Sequence, residues 1–198
     1  MDAIRNVLEL VARGAETYLQ NANSRHDPWL TLSAPLNTDG SVNEAARDRV
    51  VMCVYNLTRE TTISTQAAAQ PGAGGSGSYY QAAPPLYINI HLMCMANFGG
   101  AAYTAGLGVL SQVISYFQQN PTVNHATAPD LDPSIEKVSL ELASLNSSEL
   151  NHVMGLFGGR YFPAVFYKLR LIRFAATAMQ AIVPPARGGG IAEQGRMA

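Results

Sequence analysis

The chain of 198 residues is poor in charge: Lys, Arg, Asp and Glu make up 14% of it, against about a quarter in an average soluble domain. Its 13 basic and 14 acidic residues leave a formal net charge of −1, so no overall positive field exists to hold a nucleic-acid backbone. Because few charges are available to cover a solvated exterior, part of the surface is expected to face other protein. The composition therefore argues against a nucleic-acid binder and indicates a component of an assembly.

Cysteine and metal-ligand patterns are equally sparse. The two cysteines, Cys53 and Cys94, each lie in an apolar run typical of a strand, where a reduced cysteine acts as a small buried hydrophobic residue. None of the four histidines has the spacing of a known metal motif. A nucleophilic or metal site built from Cys53, Cys94 and His91 is the alternative, but it offers at most three ligands and no recognisable activation of a thiol. We therefore predict no catalytic residue, no metal and no cofactor.

Long apolar runs are also missing. No uninterrupted segment reaches the roughly 20 residues that span a bilayer, and the N-terminal residues interleave charges with apolar residues, unlike a secretory signal. We therefore expect synthesis and assembly in the cytoplasm, without direct insertion into a membrane. The glycine-rich run 72–77 is followed by neither a Lys-Ser nor a Lys-Thr pair nor a helix, so it does not predict a phosphate-binding loop.

Hydrophobic periodicity predicts a mixture of helices and strands. Apolar residues recur at helical spacing over residues 2–21, and again from Leu107 to a stop near Asn120 and Pro121. Asn146 and Glu149 have the spacing of an N-cap that opens a short helix. Strands are predicted at 29–33, 49–57, 86–98, 137–143 and 161–174. The expected fold class is α+β, with a mixed sheet of about five strands, two main helices and one short helix.

A single compact core is expected in a chain of this length. Residues 66–85 have the glycine-, alanine- and proline-rich composition of a flexible loop. Because a regular strand resumes at Leu86, we interpret this segment as an excursion within one domain, residues 1–178. Residues 179–198 are predicted to form a disordered tail.

Charges in the second half of the chain separate by sign. Five acidic residues are opposed only by Lys137, whereas four basic residues that follow have no acidic neighbour. In one interpretation, strands 137–143 and 164–174 are sheet neighbours joined by cross-strand ion pairs. In the other, the basic strand, from Tyr161 to Arg173, meets an acidic segment of another chain by strand addition at an open edge. The second interpretation gives a candidate partner interface of Tyr161, Phe162, Lys168, Arg170 and Arg173.

Four segments, in their order and spacing, resemble a known family. They are the proline-leading strand 84–93, the helix ending at 113–121, the strand and short helix of 138–152, and the Tyr-x-Pro-x-x-x-Tyr strand that begins at Tyr161. Together with the first helix they cover about residues 1–178. This pattern resembles the small cap, or tail-terminator, protein of phage-tail-like contractile injection systems.

The resemblance implies a tail-terminator-like fold and a non-enzymatic protein that forms a ring, expected to be a hexamer, at the end of tube and sheath distal to the baseplate. The implied partners are copies of itself, the contractile sheath protein and the inner tube protein, with no nucleic acid. The implied role is to end polymerisation and join tube to sheath, in a particle that is released or stays in the cell. A terminator or adaptor of a true phage tail, and a small enzyme with a His/Cys pocket, are the alternatives.

Overall fold

The computed structural model describes residues 2–25, 27–41, 43–61, 69–71, 79–82, 86–174 and 179–183. Two short 3-10 helices lie at Glu44–Ala46 and Gly100–Ala102. The α-helices are α1 (Ala3–Ala22), α2 (Tyr103–Gln119) and α3 (Ser147–Gly155). The strands are β1 (Leu30–Leu32), β2 (Arg49–Arg59), β3 (Ala69–Pro71), β4 (Tyr79–Ala82), β5 (Leu86–Asn97), β6 (Thr122–Asn124), β7 (Lys137–Ala143), β8 (Ala164–Phe174) and β9 (Met179–Val183).

The chain divides into two compact units, and the first comprises Met1–Ile63 and Tyr87–Phe174. Its sheet has six strands in the order β1-β2-β5-β8-β7-β6. β1 runs parallel to β2, whereas β2 and β5, β6 and β7, and β7 and β8 pair antiparallel. The mixed sheet and α+β class are confirmed, with one more strand than predicted, because the three residues of β6 are too few to show a period.

The face of the sheet that α1 and α2 cover contains the larger core. The apolar stripe of α1 packs here, with Val7, Ala15 and Leu19 almost fully buried, as its helical spacing predicts. The Glu16 carboxylate of α1 accepts the backbone N–H of Leu30 at 2.7 Å and so holds the start of β1 against the helix. We call this the helix-side core; its strand residues include Val50, Met52, Ile90, Leu92, Cys94, Ala96, Val138, Leu140, Tyr167 and Leu169.

A smaller core lies on the opposite face, beneath α3. The predicted cap of this helix is present: Asn146 accepts the N–H of Glu149 at 2.9 Å, and the Glu149 carboxylate accepts the N–H of Asn146 at 2.8 Å. The strand predicted at 86–98 is confirmed as alternating: its even-numbered residues from Ile90 on belong to the helix-side core, and Met93 and Met95 belong to this second core. We call it the α3-side core; its buried residues are Ala46, Val51, Cys53, Met93, Met95, Val153, Met154 and Phe166.

The second unit comprises Ser64–Leu86 and Ala175–Ala198. It contains a three-stranded sheet in the order β3-β4-β9, with both pairings antiparallel. The described parts of 66–85 and 179–198 are therefore strands, where the sequence predicted a flexible loop and a disordered tail within and after one domain. The pairing joins segments far apart in the chain, which composition cannot indicate. The remaining residues of both segments lie outside the described residues.

Two glycines of α2 provide a matched test of the packing. A Cβ added at Gly106 would lie 2.5 Å from the ring of the buried Phe98, whereas Gly108 has open space around it. We expect Gly106→Ala to lower the free energy of unfolding by about 1–3 kcal/mol through overpacking. Gly108→Ala should raise it by about 0.5–1 kcal/mol, because alanine favours the helix. Urea unfolding monitored by circular dichroism measures both; shifts of the same sign would contradict the packing described.

Candidate functional site

The structure places the five candidate interface residues in different surroundings. Tyr161, in the connection before β8, leaves 74% of its surface exposed. Phe162 is half-buried against the α3-side core, and Lys168 and Arg170 are half-buried on β8. The side chain of Arg173 lies outside the described part of the structure. The four residues whose side chains the structure describes therefore do not form one exposed surface, and among them Tyr161 is the exposed one.

Arg170 is held inside the protein by two acidic residues. Its Nε and Nη2 donate to Glu60 Oε2 at 3.1 and 3.0 Å, and its Nη1 donates to Glu141 Oε1 at 3.1 Å. Asn89 also donates to Glu60 Oε2, at 3.1 Å, and both Glu60 and Asn89 are buried. The hydrogen bonds that Arg170 donates to Glu141 and Glu60 raise its pKa. Most of the guanidinium's hydrogen-bonding capacity is therefore used within the chain.

The register of β7 and β8 decides between the two interpretations of the charge pattern. Ser139 lies opposite Arg170, and Glu141 lies opposite Lys168. The first interpretation, in which the two segments are sheet neighbours, is confirmed. The proposed strand addition at Tyr161–Arg173 is wrong, because β8 lies between β5 and β7 and both of its edges are already paired.

Glu60 is the charged residue that the sequence analysis missed. It follows Arg59 at the end of β2, and no sequence period marks it as buried. The available signal was its position: Glu60 is the last charged residue before Asp130. A lone acidic residue after a buried strand, with an unpaired arginine elsewhere, is a reasonable candidate for a long-range pair.

The pocket required by the enzyme alternative is not formed by the described residues. Cys94 packs in the helix-side core, whereas His91 belongs to the other face and lies 2.8 Å, Nε2 to Oγ1, from Thr58. Burial raises the pKa of Cys94, and it raises the pKa of Cys53 to about 12, so both thiols are held protonated. Their interpretation as reduced, buried hydrophobic residues is confirmed.

Two general features of the described residues also bear on function. In those ranges, no three His, Cys, Asp or Glu side chains are grouped so that they could hold a metal ion. No helix there is long and apolar enough to cross a membrane. Asp132, in the connection between β6 and β7, accepts the N–H and hydroxyl of Ser134 at 2.8 and 2.6 Å, and these bonds lower its pKa. This carboxylate thus stabilises a turn.

The Arg170 network predicts a large effect on stability. Arg170→Glu should lower the free energy of unfolding by about 3–5 kcal/mol, because it removes the two hydrogen bonds from the guanidinium to a buried carboxylate and adds a like charge. Arg47→Ala is the matched control: its ion pair with Glu44 has both side chains more than 60% exposed, and its loss should cost at most about 1 kcal/mol. Denaturant unfolding measures both variants. Equal effects would show that the network contributes no more than a surface pair.

His91 predicts a pH dependence of stability. Burial and then the charge of Lys168 lower its pKa below the usual value of 6.5. The unfolded chain therefore binds a proton first as pH falls below about 6.5, and the folded state loses stability in that range. We expect His91→Gln to lose less unfolding free energy than the parent chain between pH 7.5 and 5.5. Parallel pH profiles for the two proteins would contradict this.

Two solved structures have a fold similar to that of this chain. A PVC sheath/tube terminator, from an extracellular contractile injection system in the extended state, has a TM-score of 0.58 and 10% identity to this chain. The anti-feeding prophage cap, a tube terminating cap, gives 0.55 and 10%. The matches cover 96% and 89% of this chain but only 63% and 58% of those proteins, so the chain spans about three fifths of their length. Curated protein sequences give no match.

At 10% identity, these two structures show that the fold is shared. A family match adds sequence evidence: residues 7–187 match the Pvc16 N-terminal domain. The resemblance to a tail-terminator cap, first seen in the four segments described above, is thereby confirmed. Because the match extends over nearly the whole sequence, the chain belongs to the Pvc16 N-terminal domain family.

Proposed function

We propose that this chain is a structural, non-enzymatic cap of a contractile injection particle. It forms a ring at the end distal to the baseplate, ends the growth of the inner tube and sheath, and joins the two. The observation that carries the proposal is the family match over residues 7–187 together with a fold similar to a sheath/tube terminator and a tube terminating cap. The chain is made and assembled in the cytoplasm as part of that particle.

The proposed partners are other copies of the chain, in a hexameric ring, with the sheath protein and the inner tube protein. The low charge content supports these contacts, because an assembled subunit needs fewer charges for solubility. The exposed apolar residues agree: Leu142 and Tyr161 leave 63% and 74% of their surface exposed. Binding of a partner over these side chains removes apolar surface from water, which is favourable.

Tyr161 is the proposed contact to tube or sheath. Its ring is large and exposed, and tyrosine is among the residues that most often dominate binding at interfaces. Phe162 supports it from the α3-side core, and Lys168 adds a positive charge on β8. Arg170 contributes by fixing β8 to Glu60 and Glu141.

Particles assembled with and without the chain test the role. We expect tubes and sheaths of uniform length when the chain is present and a broad length distribution when it is left out, because nothing then ends polymerisation. Negative-stain electron microscopy of the two preparations measures the lengths. Particles of equal, uniform length in both preparations would overturn the proposal.

Two add-back variants test the contact by Tyr161. Tyr161→Ala removes an exposed ring, so it should leave unfolding unchanged while lowering co-sedimentation with tube and sheath by about tenfold. Leu156→Ala removes a side chain of similar exposure and should bind as the parent chain does. Equal binding by both variants would remove Tyr161 from the interface and leave the capping role in place.

A further inference from the structure

Both edges of the six-stranded sheet are only partly covered. β1 pairs with Val50–Met52, and the last bond of that ladder runs from Ser33 N to Met52 O at 3.1 Å. β2 continues to Arg59, and in the described ranges no strand pairs with the outer edge of residues 53–58. At the opposite side of the sheet, β6 covers Lys137–Ser139, and the outer edge of Glu141–Ala143 likewise has no strand partner among the described residues.

The two open segments lie at opposite ends of the sheet. Val50, at the covered end of β2, pairs with Ala96, whose N–H donates to Pro163 just before β8. The start of β8 in turn pairs with the open end of β7, where Phe166 lies opposite Ala143. β2 and β8 therefore begin at the same end and run in the same direction, whereas β7 runs in the opposite direction. The result is a stepped outline in which each short edge strand lies level with the open half of the opposite edge, so a shift between two copies along the strand direction brings the open segments of β2 and β7 together.

Exposed apolar side chains mark both open segments on the same face. Val54 and Leu57 lie opposite Leu92 and Ile90 of the helix-side core, yet 36% and 48% of their surface is exposed. Leu142 follows Leu140 of that core by two residues and is 63% exposed. Because side chains two apart in a strand point to the same face, all three lie on the side of α1 and α2.

The open segment of β2 has a bulge at Tyr55 but lacks the charges and the proline that most often protect a sheet edge. Soluble proteins place charges or proline on exposed edges so that other chains cannot pair with them. Between Arg49 and Arg59, β2 has neither a charged residue nor a proline. An edge of this composition, with apolar side chains beside it, is suited to a strand that covers it.

We propose that the open edge of β2 in one copy pairs antiparallel with the open edge of β7 in the next copy. The occupant is a second copy, because the chain's own opposite edge has the matching step, the opposite strand direction and apolar side chains on the same face. The pairing is head to tail, so repeated rotation closes a ring in which the open segments of β2 and β7 are both covered. The stagger along the strands is the shear that any closing sheet requires. This inference rests on the proposed ring and names the contact that builds it.

Complementary variants test the pairing. Leu57→Lys and Leu142→Glu each place a charge at one open edge. Analytical ultracentrifugation of the purified chain, alone and with tube and sheath proteins, measures assembly. We expect the parent chain at several times 21.2 kDa, and each variant to need at least about tenfold more protein to assemble, because one charge is buried without a partner. An equimolar mixture should recover assembly, because the lysine edge then meets the glutamate edge while the other edges are unchanged.

The controls separate this contact from folding and from other surfaces. Leu156→Lys changes a residue that is 68% exposed, follows α3 and belongs to neither open segment, and it should assemble as the parent chain does. Hydrogen exchange of the parent chain provides a readout without substitution: amides within residues 53–58 and 141–143 that face the open edges should become more protected in the ring than in dilute monomer.

The outcomes distinguish this pairing from the ring itself. If both charged variants assemble as the parent chain does, or the mixture fails to recover, the β2–β7 pairing is overturned and the ring stands. If hydrogen exchange at both segments does not change on assembly, the β2–β7 pairing is likewise overturned and the ring stands. If the parent chain stays monomeric even with tube and sheath proteins present, the proposed ring and this pairing are both overturned.

Discussion

Burial of the central strands on both faces determines the arrangement of the first unit. Val50 and Met52 of β2 enter the helix-side core, and Val51 and Cys53 enter the α3-side core. Each large side chain buried in this way contributes about 1.5–3 kcal/mol. Because neither face of the sheet can be left to water, α1 and α2 must cover one side and α3 the other. The sheet therefore determines where the helices lie, and the apolar stripe of each helix packs against it.

The charges of β8 suggested a binding surface in the sequence, but Arg170 pairs within the chain. A basic, aromatic strand without acidic neighbours in the chain suggests a binding surface, yet Arg170 is satisfied by Glu60 and Glu141. The buried carboxylate of Glu60 needs those donors, since an unpaired charge in the interior is costly. The surface available to partners is the part without such internal bonds, namely Tyr161, Leu57 and Leu142.

The sequence predicted the elements whose signal is local. The stripe of α1, the alternation of β5 and the Asn146 cap each depend on neighbours within a few residues, and all three are present. Strand order and the Glu60–Arg170 pair depend on contacts between distant segments, and the local pattern of a single sequence does not specify such contacts. The sheet of β3, β4 and β9 was missed for the same reason. The prediction of the interface residues was the least accurate, because an interface depends on which side chains stay exposed in the folded chain.

An irregularity in β2 limits where the chain can change length. Val54 pairs with Leu92 and Asn56 with His91, so Tyr55 is an extra residue in the ladder, and its ring packs on Phe166. Removing one residue at that bulge would keep the pairing of everything beyond it, at the expense of the tyrosine contacts. Removing one residue among positions 50–53 would turn each later side chain to the wrong face. Relatives should therefore vary in length at the bulge and remain constant a few residues before it.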